Sequence, residues 1–193
     1  MGGEVRVEVE RPIERWRVLV QGILCIPHLL VNGVLTAASA PVTLWMGIVV
    51  LLGRPVPPRL AAFQVMVLRE RVRAYSYLFL LRRSRPPYAF DLVTTDPGDD
   101  PVVTVSIEPP LRVERGALLR SLWVLPQVLV LAPVGLVMDV LYPVWMVVAI
   151  VNRGWPPSIE RIIVGVERWV LAIVMYVVLV SNERPRFGLS TYD

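Results

Sequence analysis

"VLVQGILCIPHLLVNGVLTAASAPVTLWMGIVVLLG", residues 18–53, contains no Asp, Glu, Lys or Arg. About 20 apolar residues suffice to carry a helix across the hydrocarbon core of a bilayer. A second run, "LWVLPQVLVLAPVGLVMDVLYPVWMVVAIV" (122–151), has Asp139 as its only charge. Hydrophobic residues make up 55% of the 193, and the mean hydropathy is +0.58. A soluble domain of this length carries more charge. The sequence therefore predicts a mainly α, integral membrane protein.

All 20 basic residues are Arg, and the formal net charge is +4. A coding bias toward Arg explains this blandly; contact with anionic lipid headgroups is the functional reading. The Arg residues are spread along the chain without a recognition motif, which argues against nucleic acid as a partner. The single Cys25 cannot form an internal disulfide and reads as a small buried apolar residue. The opening "MGGEVRVEVERP" alternates charge with valine, unlike a secretory signal. It also lacks the Ser or Thr that a myristoylation signal places at position 6.

The chain repeats itself. "VRVEVERP" (5–12) matches "VTVSIEPP" (103–110), and "IPHLLV" (26–31) matches "LPQVLV" (125–130). Trp45-Met46 pairs with Trp145-Met146, Pro57-Pro58 with Pro156-Pro157, and Arg69 with Arg168. Tyr77 pairs with Tyr176, and Arg85-Pro86 with Arg184-Pro185. The matches are colinear, so the expected organisation is a first membrane repeat (5–90), an acidic linker (91–102) and a second membrane repeat (103–189). The four Asp residues of the linker lack EF-hand spacing and read as a solvated loop.

Each unit opens with period-two alternation, Val5, Val7, Val9 in one copy and Val103, Val105, Ile107 in the other. That spacing predicts one short β-strand per unit, ended by proline, and the two strands can pair. A long kinked apolar helix follows, over 16–52 and 118–151. Each is either one helix or two, broken near Asn32-Gly33 and near Asp139. A charged helix then runs over about 59–82 or 158–181. If each unit spans twice, the chain has about four transmembrane helices and both copies face the same way. Arg54, Arg59, Arg153 and Arg161 then lie on one side and twelve other Arg residues on the opposite side. That asymmetry predicts cytoplasmic termini and linker.

The charged helix "AFQVMVLRERVRAYSYLFLL" (62–81) places Arg69, Glu70, Arg71 and Arg73 at its centre. Each such charge costs about 2.5–3.5 kcal/mol at a helix centre, so four cost on the order of 10 kcal/mol. The helix needs partners. Arg69, Glu70 and Arg73 share a face. Glu167 and Arg168 occupy the matching place in the second copy, and a pair between Glu167 and an Arg of the first copy would satisfy both. These five form the candidate intramembrane charge network or anionic-lipid site. The plainer role is to lock the two copies together. His28 and Asp139 are secondary candidates. For His28 the bland reading is a hydrogen-bonded core residue; for Asp139 it is a helix–helix contact. No metal-spaced cluster, phosphate loop, nucleophile elbow or dinucleotide fingerprint occurs, so no metal, cofactor or enzymatic reaction is expected.

Several residues carry a family pattern: "IPH", a long apolar helix ending in Trp45 and Gly53-Arg54, then Arg69, Arg73 and Tyr75, and a closing Pro86-Pro87. This pattern resembles a bacterial membrane family labelled domain of unknown function 4389, present as two tandem copies. The second copy departs from it, with Gln127 in place of His28 and Ala172 in place of Arg73. The resemblance implies a small multi-spanning membrane protein and no assigned activity. The expected function is a non-enzymatic accessory or scaffold subunit of a cell-envelope complex that holds anionic lipid. Its partners would be lipids, other membrane proteins or further copies of itself. The alternative is a small transporter or channel acting as an oligomer.

Overall fold

The computed structural model describes residues 4–7, 9, 12–82, 90, 92–95, 98, 103–110 and 112–188, with backbone only for 4–7, 103–106, Arg115 and Leu118. The elements are β1 (Glu4–Val7), α1 (Arg15–Leu51), α2 (Pro58–Leu78), β2 (Val103–Ser106), α3 (Arg120–Asn152) and α4 (Pro157–Val177). One 3-10 turn, Arg115–Leu119, leads into α3. The four Asp residues of the linker, and Pro86 and Pro87, lie outside the described residues.

The two apolar runs are continuous helices of 37 and 33 residues, unbroken at Asn32-Gly33 or Asp139. Pro27 and Pro41 in α1, and Pro126, Pro133 and Pro143 in α3, are exposed, so their rings do not disturb the packed faces. Each short helix starts on a proline pair, Pro57-Pro58 and Pro156-Pro157. That position needs no intrahelical N–H and favours the fixed φ.

Four helices form, as expected. Among the described residues two helices, α1 and α3, are long and apolar enough to cross a membrane. The Arg and Glu residues at the centre of α2 set it apart from a spanning helix. The strands are also shorter than the alternation implied: each has four residues, and Val9 and Ile107 lie beyond them. Pro12 and the Pro109-Pro110 pair cannot extend a ladder.

Each long helix folds back on its short partner, and the two hairpins then pack head to tail. Near the start of α1, the Ile13 N–H donates to the Arg153 carbonyl beyond the end of α3 (2.9 Å). One cluster joins Ile13, Val18, Leu80 and Leu81 to Ala149, Trp155 and Ile163. A second joins Met46, Val50, Val56 and Ala61 to Ala117 and Leu179. Val18 and Ala117, Leu80 and Leu179, Val50 and Ala149, and Val56 and Trp155 are each 99 residues apart. Each cluster thus joins the open end of one hairpin to the turn of the other. The units are therefore not side by side in parallel, as two spans per unit had required.

The sheet has the same symmetry. β1 and β2 pair antiparallel in the register Val5 with Val105, Arg6 with Thr104 and Val7 with Val103. A shift of 98 residues exchanges the first and last of these pairs and maps Arg6 onto its own partner. Beyond β2, Ile107 packs with Val65, Leu68 and Val72 of α2, with Leu171 and Met175 of α4, and with Val178 just after it. α1 contacts α3 directly. The molecule is thus layered, with α1 and α3 in one layer, α2 and α4 in the next, and the ribbon across them.

Leu80 and Leu179 end α2 and α4 with φ of 58° and 65°. Leu81 N–H reaches back to the Ser76 carbonyl, and Val180 N–H to the Met175 carbonyl, closing the last turn in each case. A leucine is unfavourable in this conformation. Burial of both side chains, 3% and 1% exposed, compensates. Gly53 and Arg153 close the long helices, also at positive φ (74° and 55°). Glycine adopts this conformation freely and arginine does not. Replacing the exposed Arg153 by Gly should therefore raise stability by about 1 kcal/mol in thermal unfolding in detergent. Trp155 donates its Nε1–H to the Phe79 carbonyl of the other half. Trp155→Phe should cost about 1–3 kcal/mol through that lost bond, and Trp155→Ala about 3–5 kcal/mol.

Candidate functional site: a polar seam inside each helical hairpin

The face of α1 turned to α2 is polar although the helix as a whole is apolar. Arg17, Gln21, His28, Asn32 and Ser39 are buried on it, with Cys25 among them. Their spacing of three, four and seven residues keeps one stripe facing a single partner helix. α2 answers with Tyr77, Arg73, Glu70 and Gln64, all buried. The two helices run antiparallel, so the contacts step in opposite directions. Gln21 Nε2–H donates to the Tyr77 carbonyl, and Cys25 Sγ lies 3.5 Å from the Ala74 carbonyl. His28 Nδ1 is 3.3 Å from Glu70 Oε1. Ser39 Oγ–H donates to Gln64 Oε1, while Gln64 Nε2 donates to the Ser39 carbonyl (3.1 Å) and to Thr43 Oγ1 (2.9 Å).

The middle of the seam carries the charge. Glu70 is 0% exposed and His28 1%. A buried carboxylate needs donors or a cation near it. Arg73 and Arg82 stand close enough for their charge to act on His28. Arg69 is buried and donates from Nη2 to the Val93 carbonyl of the linker. Phe90 lies against His28, ring centroids 4.4 Å apart. Phe90 and Val93 therefore lie over the groove at His28 and Arg69.

The second hairpin repeats this construction with different chemistry. Arg120, 99 residues after Gln21, donates from Nη1 to the Tyr176 carbonyl (3.1 Å) and the Ser181 carbonyl (2.6 Å). Its Nη2 reaches Asn182 Oδ1 (2.7 Å), and its guanidinium lies 4.3 Å from the centre of the Tyr176 ring. Gln127 and Trp169 stand 99 residues after His28 and Glu70. Trp169 Nε1–H donates to Gln127 Oε1 (2.8 Å), and Gln127 Nε2 donates to the Pro185 carbonyl (2.7 Å). Phe187 lies against Trp169, ring centroids 6.0 Å apart, again from the segment that follows the short helix.

The five residues read from the sequence as one charge network are divided. Arg69, Glu70 and Arg73 belong to the seam of the first hairpin. Glu167 and Arg168 are half-buried on α4. The expected pair between Glu167 and an Arg of the first half is not formed among the described residues. Arg71 is the cation whose charge reaches Glu167, but its guanidinium sits over Tyr75, 4.5 Å from the ring centre. Asp139 is exposed on α3 and makes no helix–helix pair among the described residues. His28, in contrast, meets a carboxylate that sequence distance had hidden. Sequence reasoning passed over Gln21, Ser39, Gln64, Arg120, Gln127 and Trp169. The available signal was the regular spacing of polar residues in α1. Among the described residues no three His, Cys, Asp or Glu side chains converge on a metal site.

A buried pair broken from one side leaves its partner uncompensated. Glu70→Ala should therefore destabilise the protein by about 3–5 kcal/mol. Glu70→Gln keeps a hydrogen-bonding side chain and should cost markedly less. Thermal melts of the two variants in the same detergent measure the difference.

A family model described as a domain of unknown function, DUF4389, matches residues 114–188. The matched stretch runs from the residue before the 3-10 turn through α3 and α4 to the segment covering the second groove. The model matches once. Residues 5–90, with His28 and Glu70, lie outside the match. No curated protein and no solved structure matches the chain.

Proposed function

We propose that this protein is a non-enzymatic, membrane-embedded scaffold built from two tandem copies of one helical hairpin, with its long helices in lipid and its polar seams serving as internal locks. One observation carries the membrane reading. The most apolar stretches of α1 and α3 have mean hydropathies of 1.9 and 2.2, yet only 22% and 6% of them is buried. The core helix of a water-soluble protein would be mostly buried. Here Leu19, Ile23, Leu30, Val34, Leu122, Leu129, Val140 and Val151 are all at least 60% exposed. So large an apolar surface requires a membrane or a partner. The duplication is supported by hydrogen bonds and clusters that recur at the same offset, and by the self-consistent register of the ribbon.

The scaffold holds anionic lipid at the ends of its long helices. Arg15, Arg54, Arg112 and Arg153 are exposed there. A guanidinium near an anionic surface contributes about 1 kcal/mol. On this reading Arg69, Glu70 and Arg73 hold α1 and α2 together and do not form a substrate path. On this reading the Arg-bearing segments, with the termini and linker, lie on the cytoplasmic side, where anionic headgroups face them.

Purification in mild detergent followed by mass spectrometry tests this reading. Anionic phospholipids and other envelope proteins should copurify. Arg54→Gln combined with Arg153→Gln should weaken binding to anionic vesicles on the order of tenfold, with the melting transition preserved. A closed homo-oligomer that carries solute flux in liposomes would replace the scaffold reading with a transporter.

A further inference from the structure

We propose that α1 and α3 lie along a single leaflet of the membrane, with the twofold axis between the hairpins along the membrane normal, so that no part of the chain crosses. This inference rests on the membrane reading above and concerns only how the apolar face meets lipid.

Head-to-tail packing is the first reason. If α1 stood upright, the start of α1 and the turn after α3 would share one side of the bilayer. The turn after α1 and the start of α3 would share the other. The segment between α2 and α3, whose described residues as far as Glu114 form no helix, would then have to cross the hydrocarbon. With it would go β2, whose two-stranded ribbon has open edges among the described residues, the Val93 carbonyl bonded by Arg69, and the exposed residues Leu92–Thr95. Irregular backbone and open strand edges do not occur against lipid.

Length is the second reason. α1 has 37 residues and spans about 55 Å, against a hydrocarbon thickness of ~30 Å. Its charge-free run continues from Val18 to Gly53 with no charged residue where a crossing helix would leave the hydrocarbon. Asp139 is the third. In an upright α3 it would sit near mid-membrane, exposed to lipid. In a helix lying at the interface, immersed by about 5–10 Å, its carboxylate remains within reach of the headgroups.

Lying flat removes all three conflicts. The outer faces of both long helices enter one leaflet, while α2, α4, the linker and the ribbon stay on the aqueous side. Arg54 and Arg153, at the two turns, come to the same side as the linker.

The test is accessibility in sealed vesicles to a membrane-impermeant maleimide, using the full chain with Arg54→Cys, Thr95→Cys or Asn152→Cys. These three sites are exposed, while the native Cys25 is fully buried and serves as the silent background. All three should react from the same side. A Leu30→Trp variant should be quenched most by lipids brominated high on their chains. Reaction of Arg54→Cys or Asn152→Cys only from the side opposite Thr95→Cys would overturn the flat orientation and leave the membrane reading intact. Release of the protein by alkaline washing as a lipid-free, water-soluble species would overturn both.

Discussion

The structure depends on hydrogen bonds made inside the α1–α2 groove. α1 is apolar toward the outside and polar toward α2, and neither face tolerates the other's surroundings. A side-chain amide or carboxylate placed in a dry environment without a partner costs several kcal/mol. The stripe of Gln21, His28 and Ser39 therefore fixes which face of α1 turns inward and which stretch of α2 lies opposite. Leucines at those positions would leave the helix free to rotate or slide, because one apolar face packs nearly as well as another. Gln64, held by the Ser39 carbonyl and Thr43, and Glu70, held near His28, pin the register at two separated points.

The second hairpin reaches the same register with neutral and cationic groups. Gln127 and Trp169 replace a histidine and a carboxylate, and the bond between them still links the same two positions across the groove. Arg120 replaces Gln21 and reaches further, binding the Tyr176 carbonyl in α4 and, beyond that helix, the Ser181 carbonyl and the Asn182 side-chain amide. What persists between the halves is the geometry: one polar link at the mouth of the groove, one in its middle, and an aromatic from the following segment packed over the second.

Much of this was legible in the sequence. The charge-free run 18–53 marked α1, and the colinear matches located the second unit. The proline pairs marked where α2 and α4 start. The orientation of the two halves was not legible, because a repeated sequence fits parallel and head-to-tail packing equally well. It is decided by contacts between residues far apart in the chain, such as Ile13 with Arg153 and Trp155 with Phe79. Two spans per unit satisfied the Arg count only with parallel halves. The partner of His28 was hidden because Glu70 lies 42 residues away, in a helix whose own neighbours suggested a charge network within the bilayer.

The insertion energetics of α2 can now be weighed differently. Four central charges cost on the order of 10 kcal/mol if the helix must cross hydrocarbon. α2 never faces lipid alone in this fold. α1 covers one side of it, the segment around Phe90 and Val93 lies against its charged middle, and Ile107 packs on its apolar flank. On the proposed orientation the charges stay on the aqueous side of the long helices, and the insertion cost falls on α1 and α3 alone. Those are the helices whose exposed residues are almost all apolar. The same chain can then combine a very hydrophobic exterior with a charged second layer, because the two belong to different layers of one molecule and not to successive depths of a single span.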